Sequence, residues 1–464
     1  MVDARVLPRE DRPRRAPGPT GRNKLRLMRA LLSDPAPALD ELRREYGPIV
    51  EIGVGGMRLA VIGDPAVMRE MFAKGADAYR WGHRYNVVGV RLVVGPGSMI
   101  VSDGTDHARR RRASQSAFSR PRLDGLIPMI VNRTDLAIDA LARSSSPGQE
   151  LDLYPVGRAL ILGITLDAFF GPRLAARAGE IGGLLQRPQD FLEAPVFEQL
   201  PRPWPFSRRG KVRRDRGALD QIVDEEIALR RADPSAARDD LLGALIADDS
   251  LSIDEIRDQA ATAIGAGFDT TSAALAWMLV RVSRSPGAWA RLKAEADGVL
   301  GRPGSETQGD RSTLTGLTYS RNVVQESLRL HPAGLVGVRQ AARDIDLGGY
   351  TVRRGTLVVW SPHLAGRDAA TWTDPLRFDP DRFVGLTSEQ QALADQAWVP
   401  FGRGPHMCLG FALAQMELTL IVSRMAQRLV AAASSDVPRP VGMVVNRPTG
   451  GAVVQLTTFA GDIR

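Results

Sequence analysis

The chain has 464 residues, a formal net charge of +8 and one cysteine. Hydrophobic residues at 44% and charged residues at 25% allow a sizeable core and exclude a fibrous or disordered chain. A lone cysteine also excludes an intramolecular disulfide and a multi-cysteine zinc site, which fits a reducing compartment.

The N-terminus, MVDARVLPREDRPRRAPGPTGR, lacks the apolar core of a secretory signal, and Asp3, Glu10 and Asp11 argue against a transit peptide. Residues 1–22 read as a flexible lead-in to one domain over 23–464, since no Pro/Gly linker divides the rest. GPIVEIGVGGMRLAVIGDP predicts two strands around Gly55-Gly56, and AVMREMFAKG after Pro65 predicts a helix. From residue 104 to about residue 300 helix follows helix. LEAPVFEQLPRPWPFSRRGKVRRDR, from Leu192 to Arg216, interrupts them; its prolines predict a long connection of the kind that forms lids.

The clearest helix runs from Ser252 to Ser285. Ser252 and Glu255 form a capping box, and Pro286-Gly287 stops the helix after about 50 Å. Apolar residues surround it from Ala260 to Val280, which predicts a buried rod. A membrane span is the poorer reading, because Asp269 would sit in mid-bilayer. DIDLGGYTVRRGTLVVW then predicts short strands, a Pro-rich stretch runs to Phe401, and a helix from Gly410 to about Ala431 precedes a strand-rich tail. The whole reads as mainly α with a smaller β portion. The arginines are scattered without interleaved aromatics, which argues against nucleic acid and fits an acidic protein partner. A monomeric cytoplasmic protein with no integral membrane anchor is expected.

PFGRGPHMCLGFALAQMELTL places Cys408 between a glycine-rich loop and a helix start. Gly402, Gly404 and Gly410 let backbone approach a flat ligand, and the helix amides favour a thiolate. Such a sulfur serves as a nucleophile or a metal ligand. The segment resembles the haem-binding signature of the cytochrome P450 family, with Phe401, Gly404, His406, Cys408 and Gly410 at its five positions. The resemblance implies Cys408 as the proximal iron ligand of haem b, Phe401 beside the sulfur, and His406 at a haem propionate. Histidine replaces the arginine that many members carry there.

Further segments are similar to the family's motifs, in its order. QESLRLHP gives Glu326 and Arg329 on one helix face, and DPLRFDPDRF gives Arg382. The resemblance implies a structural triad that holds the cysteine loop. AGFDTT gives Ala266, Gly267, Asp269 and Thr270, where a carboxylate and a hydroxyl in an apolar rod need a reason. In the family this helix crosses the distal haem face, Gly267 admits dioxygen, and Asp269 with Thr270 deliver protons. DGTDHARRRR gives His107 and Arg111, one turn apart, as propionate ligands, and Arg339 in GLVGVRQ is another. Arg109, Arg110 and Arg112 would face the proximal surface, where an electron-transfer protein docks. His363 is placed near the haem periphery, while His83 and His331 have no assigned chemistry.

The resemblance covers residues 46 to 455 or so and implies a triangular, single-domain haem protein with a long central helix over the haem. It implies insertion of one atom of O2 into a C–H or C=C bond of an apolar small molecule. Electrons would come from NAD(P)H indirectly, through a ferredoxin-type donor and its reductase. A peroxygenase, isomerase or oxidative coupling enzyme, and a non-catalytic haem sensor, are the alternatives. Pocket-lining candidates are Trp81 to Val93 with Val90, residues 196–206, Ile264 to Ala266, Ala333 to Val338 with Val336, and Met443-Val444. They are mostly small and aliphatic, which suits a terpenoid, steroid, fatty-acyl or polyketide-like substrate.

Overall fold

Around the early glycine turn, β1 (Ile49–Val54) pairs antiparallel with β2 (Met57–Ile62). Gly56 completes that turn at a φ of 85°, a left-handed conformation that glycine adopts without strain. The computed structural model describes residues 14–54, 56–81, 88–146, 148–194, 196–199, 207–233, 238–301, 309–434 and 436–458. The nearby β3 (Tyr79–Arg80) and two strands far along the chain, β4 (Gly337–Ala341) and β5 (Leu357–Trp360), complete the sheet in the order β1-β2-β5-β4-β3. The β2–β5 pairing is parallel and the others antiparallel, so the sheet ties the N-terminal and C-terminal thirds together.

Helix α1 (Pro35–Tyr46) precedes the sheet, and α2 (Pro65–Ala73) follows β2. Asp64 caps α2 by accepting from the amides of Ala66 and Val67, and Pro65 occupies the first turn, where its missing N–H costs nothing. Next come α3 (Val88–Val94), α4 (Gly104–Gln115), α5 (Arg120–Ser144), α6 (Leu153–Phe170), α7 (Ala178–Glu193), α8 (Arg208–Ala232) and α9 (Ile253–Ser283). The capping box of α9 forms as the sequence predicts, with the Ser252 hydroxyl on the Glu255 amide and the Glu255 carboxylate on the Ser252 amide. At 31 residues α9 spans about 47 Å, and most of its side chains are buried, Trp277 completely. Both α6 and α9 are long and apolar enough to cross a membrane, yet both are packed mostly inside the protein, against each other and the main core. Helices α10 (Thr318–Leu330) and α11 (Phe411–Arg428) close that core, and the fold is mainly α with a smaller β portion.

Three boundaries differ from the sequence reading. The Leu192–Arg216 connection is shorter, because proline stops at Pro205 and the Ser207 hydroxyl caps a helix that already contains Arg208 to Arg216. Residues 200–206 of that segment lie outside the described residues. The last long helix ends at Arg428, since Leu429–Ala433 is drawn into a strand beside Val453–Thr458. The expected lead-in is tied down from residue 14: the Glu51 amide donates to the Pro17 carbonyl at 2.8 Å and Thr351 to Arg14 at 3.0 Å, and a helix starts at Gly21.

Candidate haem-thiolate site

The cysteine loop folds back on itself ahead of α11. The Cys408 amide donates to the Phe401 carbonyl and the Met407 amide to Gly404, each at 3.0 Å. Gly402 and Gly404 hold φ values of 68° and 79°, which L side chains rarely adopt. The Phe401 ring packs edge-on against Trp398 and Phe411. Cys408 presents accessible surface, yet burial pushes its thiol pKa up, against the Gly410 amide and the Arg111 charge, which lower it. Both hold if the sulfur faces enclosed space rather than bulk water. The helix end was expected to favour the thiolate. Desolvation outweighs it, so that form needs a positive partner in the adjoining space.

Basic side chains from three parts of the chain gather beside this loop. His406 is stacked between Trp81, with ring centroids 4.0 Å apart, and His107 at 3.7 Å. The Arg339 guanidinium lies 4.6 Å over Trp81 and 4.8 Å over Phe72, and donates to the Arg403 carbonyl at 3.0 Å. Arg111 reaches the same region through its field on Cys408 and His406. Among the described residues no salt bridge involves His107, Arg111, Arg339 or His406, and the buried Arg339 Nε has no partner. Burial, then His107, Arg339 and Arg111, push His406 down to about 3, and burial pushes Arg339 down to about 10. Basic side chains gathered this way, without a salt bridge among the described residues, suit an anionic group.

Behind the loop sits a closed polar core. The Arg329 guanidinium grips Glu326 with two bonds of 2.6 and 2.8 Å, and neither side chain has any exposed surface. Arg382 Nε joins the same carboxylate at 3.3 Å, and the Asp379 amide donates to it at 2.9 Å. The remaining Arg329 donors reach the carbonyls of Gly366, Pro375 and Arg377, and those of Arg382 reach Thr373, Asp374 and Arg377. One ion network thus pins the irregular stretch 366–382 to α10.

On α9, positions Ala263, Gly265, Ala266, Gly267 and Thr270 keep accessible surface while Thr262, Ile264, Phe268, Asp269 and Thr271 are buried. Four of the five, at i, i+3, i+4 and i+7, share one helix face with Gly265 beside it, so the buried rod opens along a strip in its middle. There the Thr270 hydroxyl donates to the Ala266 carbonyl at 2.7 Å. A Cβ on Gly267 would rest at 3.4 Å from Thr165, an ordinary contact with α6. Asp269 points to the other side, where Arg158 holds one oxygen at 2.9 Å and Arg447 the other at 2.5 Å. Arg158 continues to Gln189 at 2.9 Å and to Gln186 at 3.2 Å, and stacks on Phe268.

The family model of cytochrome P450 matches residues 22–452. The chain belongs to the cytochrome P450 family. It is 32% identical to the putative cytochrome P450 139 of Mycobacterium tuberculosis, over 91% of this chain and 98% of that one. It is also 32% identical to the cyclooctat-9-en-7-ol 5-monooxygenase of Streptomyces melanosporofaciens, with 82% of each covered. The pentalenene oxygenase of Streptomyces avermitilis is 30% identical, with 86% and 87% covered. The retinoic acid-bound cyanobacterial CYP120A1 superposes with a TM-score of 0.83 at 24% identity, over 97% of this chain and 100% of that one, which shows the fold. As a P450 the chain is an oxygen-incorporating oxidoreductase, and the family implies a haem-thiolate cofactor and O2.

The residues fit that group. A P450 haem brings two carboxylates and an iron, and the site offers four unpaired basic side chains, an orphaned Arg339 N–H and a sulfur short of a positive partner. The structure of this P450 also places the remaining expected residues. Arg109 and Arg110 are both paired to Glu255, at 2.5 and 2.8 Å, while Arg112 is exposed. Ile264 is fully buried in the main core because it lies about a quarter-turn round the helix from the open strip, whose edge is Ala263 instead. Val90 packs with Val94 and Val101, and Val336 against Leu335 and the α1 cluster. Met443 is half-buried and Val444 exposed. His83 and residues 82–87 lie outside the described residues.

His363 and His331 belong to a separate buried network. His363 bridges Asp40 at 3.1 Å and Arg367 at 2.8 Å, away from the His107–His406 stack. His331 accepts from Arg281 at 2.8 Å and stacks on Trp277. Burial, then Arg367, push His363 down to about 4. The folded chain therefore keeps His363 neutral where the unfolded chain protonates it near pH 6.5, so stability falls as pH drops from about 6.5 to about 4. His363→Gln is expected to flatten the pH dependence of the urea midpoint in that window by up to ~1.4 kcal/mol per pH unit.

Proposed function

We propose that the chain is a ferredoxin-served monooxygenase that hydroxylates or epoxidises an apolar terpenoid. The unpaired cluster of His107, Arg111, Arg339 and His406 beside Cys408 carries the haem part of this reading. His107, Arg111, Arg339 and His406 would hold the propionates, Cys408 the iron, and Glu326, Arg329 and Arg382 the loop. Haem bound there supplies an electron-rich iron centre at which O2 is activated. The terpenoid class rests on two relatives named for oxygenating cyclooctat-9-en-7-ol and pentalenene, and on the small apolar residues around the open strip. Electrons would reach the site from NAD(P)H through a ferredoxin and its reductase, and the chain would work as a monomeric single-domain cytoplasmic protein.

Within that reading Thr270 holds its hydroxyl proton on the Ala266 carbonyl, at the edge of the strip, where it would be available to the distal side of a haem held by Cys408. Asp269 resupplies it. Each carboxylate oxygen is occupied by an arginine, so a proton delivered to Asp269 from solvent must displace one of these contacts, and Gln186 and Gln189 hold Arg158 in place while it does. Asp269→Asn, in the reconstituted system with ferredoxin and reductase, is expected to lower product formation on the order of 100-fold. NAD(P)H consumption falls less, and the difference is released as hydrogen peroxide. Product formation within about twofold of the parent would remove Asp269 from proton delivery.

Substrate class is tested by titrating the ferric holoprotein with cyclic terpene hydrocarbons, steroids and fatty acids. Terpenes are expected to displace the iron's water and shift its absorbance. A shift with fatty acids or steroids alone would overturn the terpenoid assignment.

A further inference from the structure

The last turn of α7 carries a half-buried carboxylate, Glu193, that neither the family signature nor the proton route uses. Its oxygens accept from three successive backbone amides of one turn: Met443 at 3.0 Å, Val444 at 3.4 Å and Val445 at 2.6 Å. Consecutive N–H groups converging on one point form an anion nest. Gly442 opens that turn at a φ of 87°, and a Cβ there would meet the Val445 carbonyl at 2.3 Å and the Glu193 carboxyl carbon at 3.3 Å. The backbone is shaped around the carboxylate.

The far side of the same segment is fixed to the core without Glu193. β6 (Pro440–Val441) and β7 (Arg447–Pro448) pair across it. Asn446 donates its amide to Ala333 at 2.7 Å and its side chain to Pro332 at 3.1 Å, Trp277 donates to the Asn446 carbonyl at 3.0 Å, and Arg447 holds Asp269. The hairpin is therefore a fixed jaw. What Glu193 adds is a tie from that jaw to the end of α7, whose earlier turns are held by Arg158 through Gln186 and Gln189 and by Asp215 through Arg187. Val441 and Val444 leave apolar side chains exposed beside this tie.

We infer that Glu193, seated in the 443–445 amide nest, is a positioning residue that clamps α7 to the hairpin and so sets how fast bulky apolar ligands pass between them. This rests on the reading of Met443 and Val444 as pocket-lining residues of a haem enzyme. Glutamine is nearly isosteric with glutamate but turns an NH2 toward backbone N–H groups, so Glu193→Gln opens the clamp without removing volume.

The test uses the holoenzyme and two iron-binding probes, imidazole and a bulky triaryl azole, mixed by stopped flow and followed by absorbance. In Glu193→Gln the association and dissociation rates of the triaryl azole are expected to rise about fivefold or more, with imidazole rates within about twofold of the parent. Gly442→Ala is expected to act in the same direction. Hydrogen exchange on the same samples should show the amides of Met443, Val444 and Val445 exchanging about tenfold faster in Glu193→Gln, with Trp277 to Val282 unchanged. Unchanged exchange at 443–445 would overturn the clamp, and faster exchange with unchanged triaryl azole rates would overturn its control of passage. A parent protein that gives no spectral response to either azole would instead sink the haem reading, and the exchange measurement would still decide the clamp.

Discussion

Cys408→Ser is expected to abolish monooxygenase activity to the background of the assay and to remove the red-shifted absorbance of the reduced carbon-monoxide complex. The size of the effect follows from the surroundings of the sulfur. Burial favours the neutral thiol, and the Gly410 amide with Arg111 only partly offsets it. A site that disfavours its own thiolate retains it when a cation is bound at the sulfur, so iron and cysteine are held by mutual compensation. Serine keeps the volume and the loop but gives an alcohol that does not ionise near neutral pH. Haem is then held by His107, Arg111, Arg339 and His406 alone, which predicts a weakly retained group with an altered spectrum. Retention of the thiolate signature in Cys408→Ser would disprove ligation by this residue, since the chain has one cysteine.

The distal half of the site was less legible than the proximal half, for a physical reason. The cysteine loop is a local motif: its glycines, histidine and helix start lie within ten residues, so spacing alone displays them. The partners of Asp269 are Arg158 and Arg447, 111 and 178 residues away, and each sits among many other arginines. Nothing local distinguishes these two from the exposed ones. The nest for Glu193 was hidden differently, because backbone amides leave no trace in side-chain chemistry, and Gly442 was its sole local sign. Helix phase explains the error at Ile264. The apolar pattern around α9 is almost continuous, so composition could not tell which face opens; the structure puts the opening on Ala263, Ala266, Gly267 and Thr270. The fold was easier to read, since α9 carries its own start and stop signals. The Arg208–Arg216 run was misjudged because its arginines were grouped with the prolines before them, although Ser207 marks a helix start.

Those distant contacts also link regions that the motifs treat separately. Arg447 is on the hairpin that Glu193 holds and on the carboxylate of Asp269, while Arg158 joins the same carboxylate to α7. The chain that determines where α7 sits therefore includes the acid proposed to resupply protons. A substitution at Arg447 should disturb both, whereas one at Glu193 acts on the hairpin and leaves the Arg158–Asp269 pair in place.

The largest expected loss of stability is at Glu326. Its carboxylate takes two bonds from Arg329, one from Arg382 and one from the Asp379 amide, and it has no contact with water. Glu326→Gln keeps the shape and removes the charge, which leaves the wholly buried Arg329 guanidinium uncompensated. Breaking a buried pair from one side costs about 3–5 kcal/mol, against a total stability of about 5–15 kcal/mol for a folded protein. The damage should spread along the carbonyls that Arg329 and Arg382 hold, from Gly366 to Arg377, and reach the cysteine loop through Trp398, whose indole donates to the Gln325 carbonyl on α10 at 3.0 Å. The expected result is a protein that expresses mainly without haem and melts at markedly lower temperature. A surface pair such as Arg291–Asp381, about half exposed on both sides, is the control, and Asp381→Asn should cost no more than about 1 kcal/mol. Equal thermal shifts for the two variants would show that the Glu326 network does not anchor the loop.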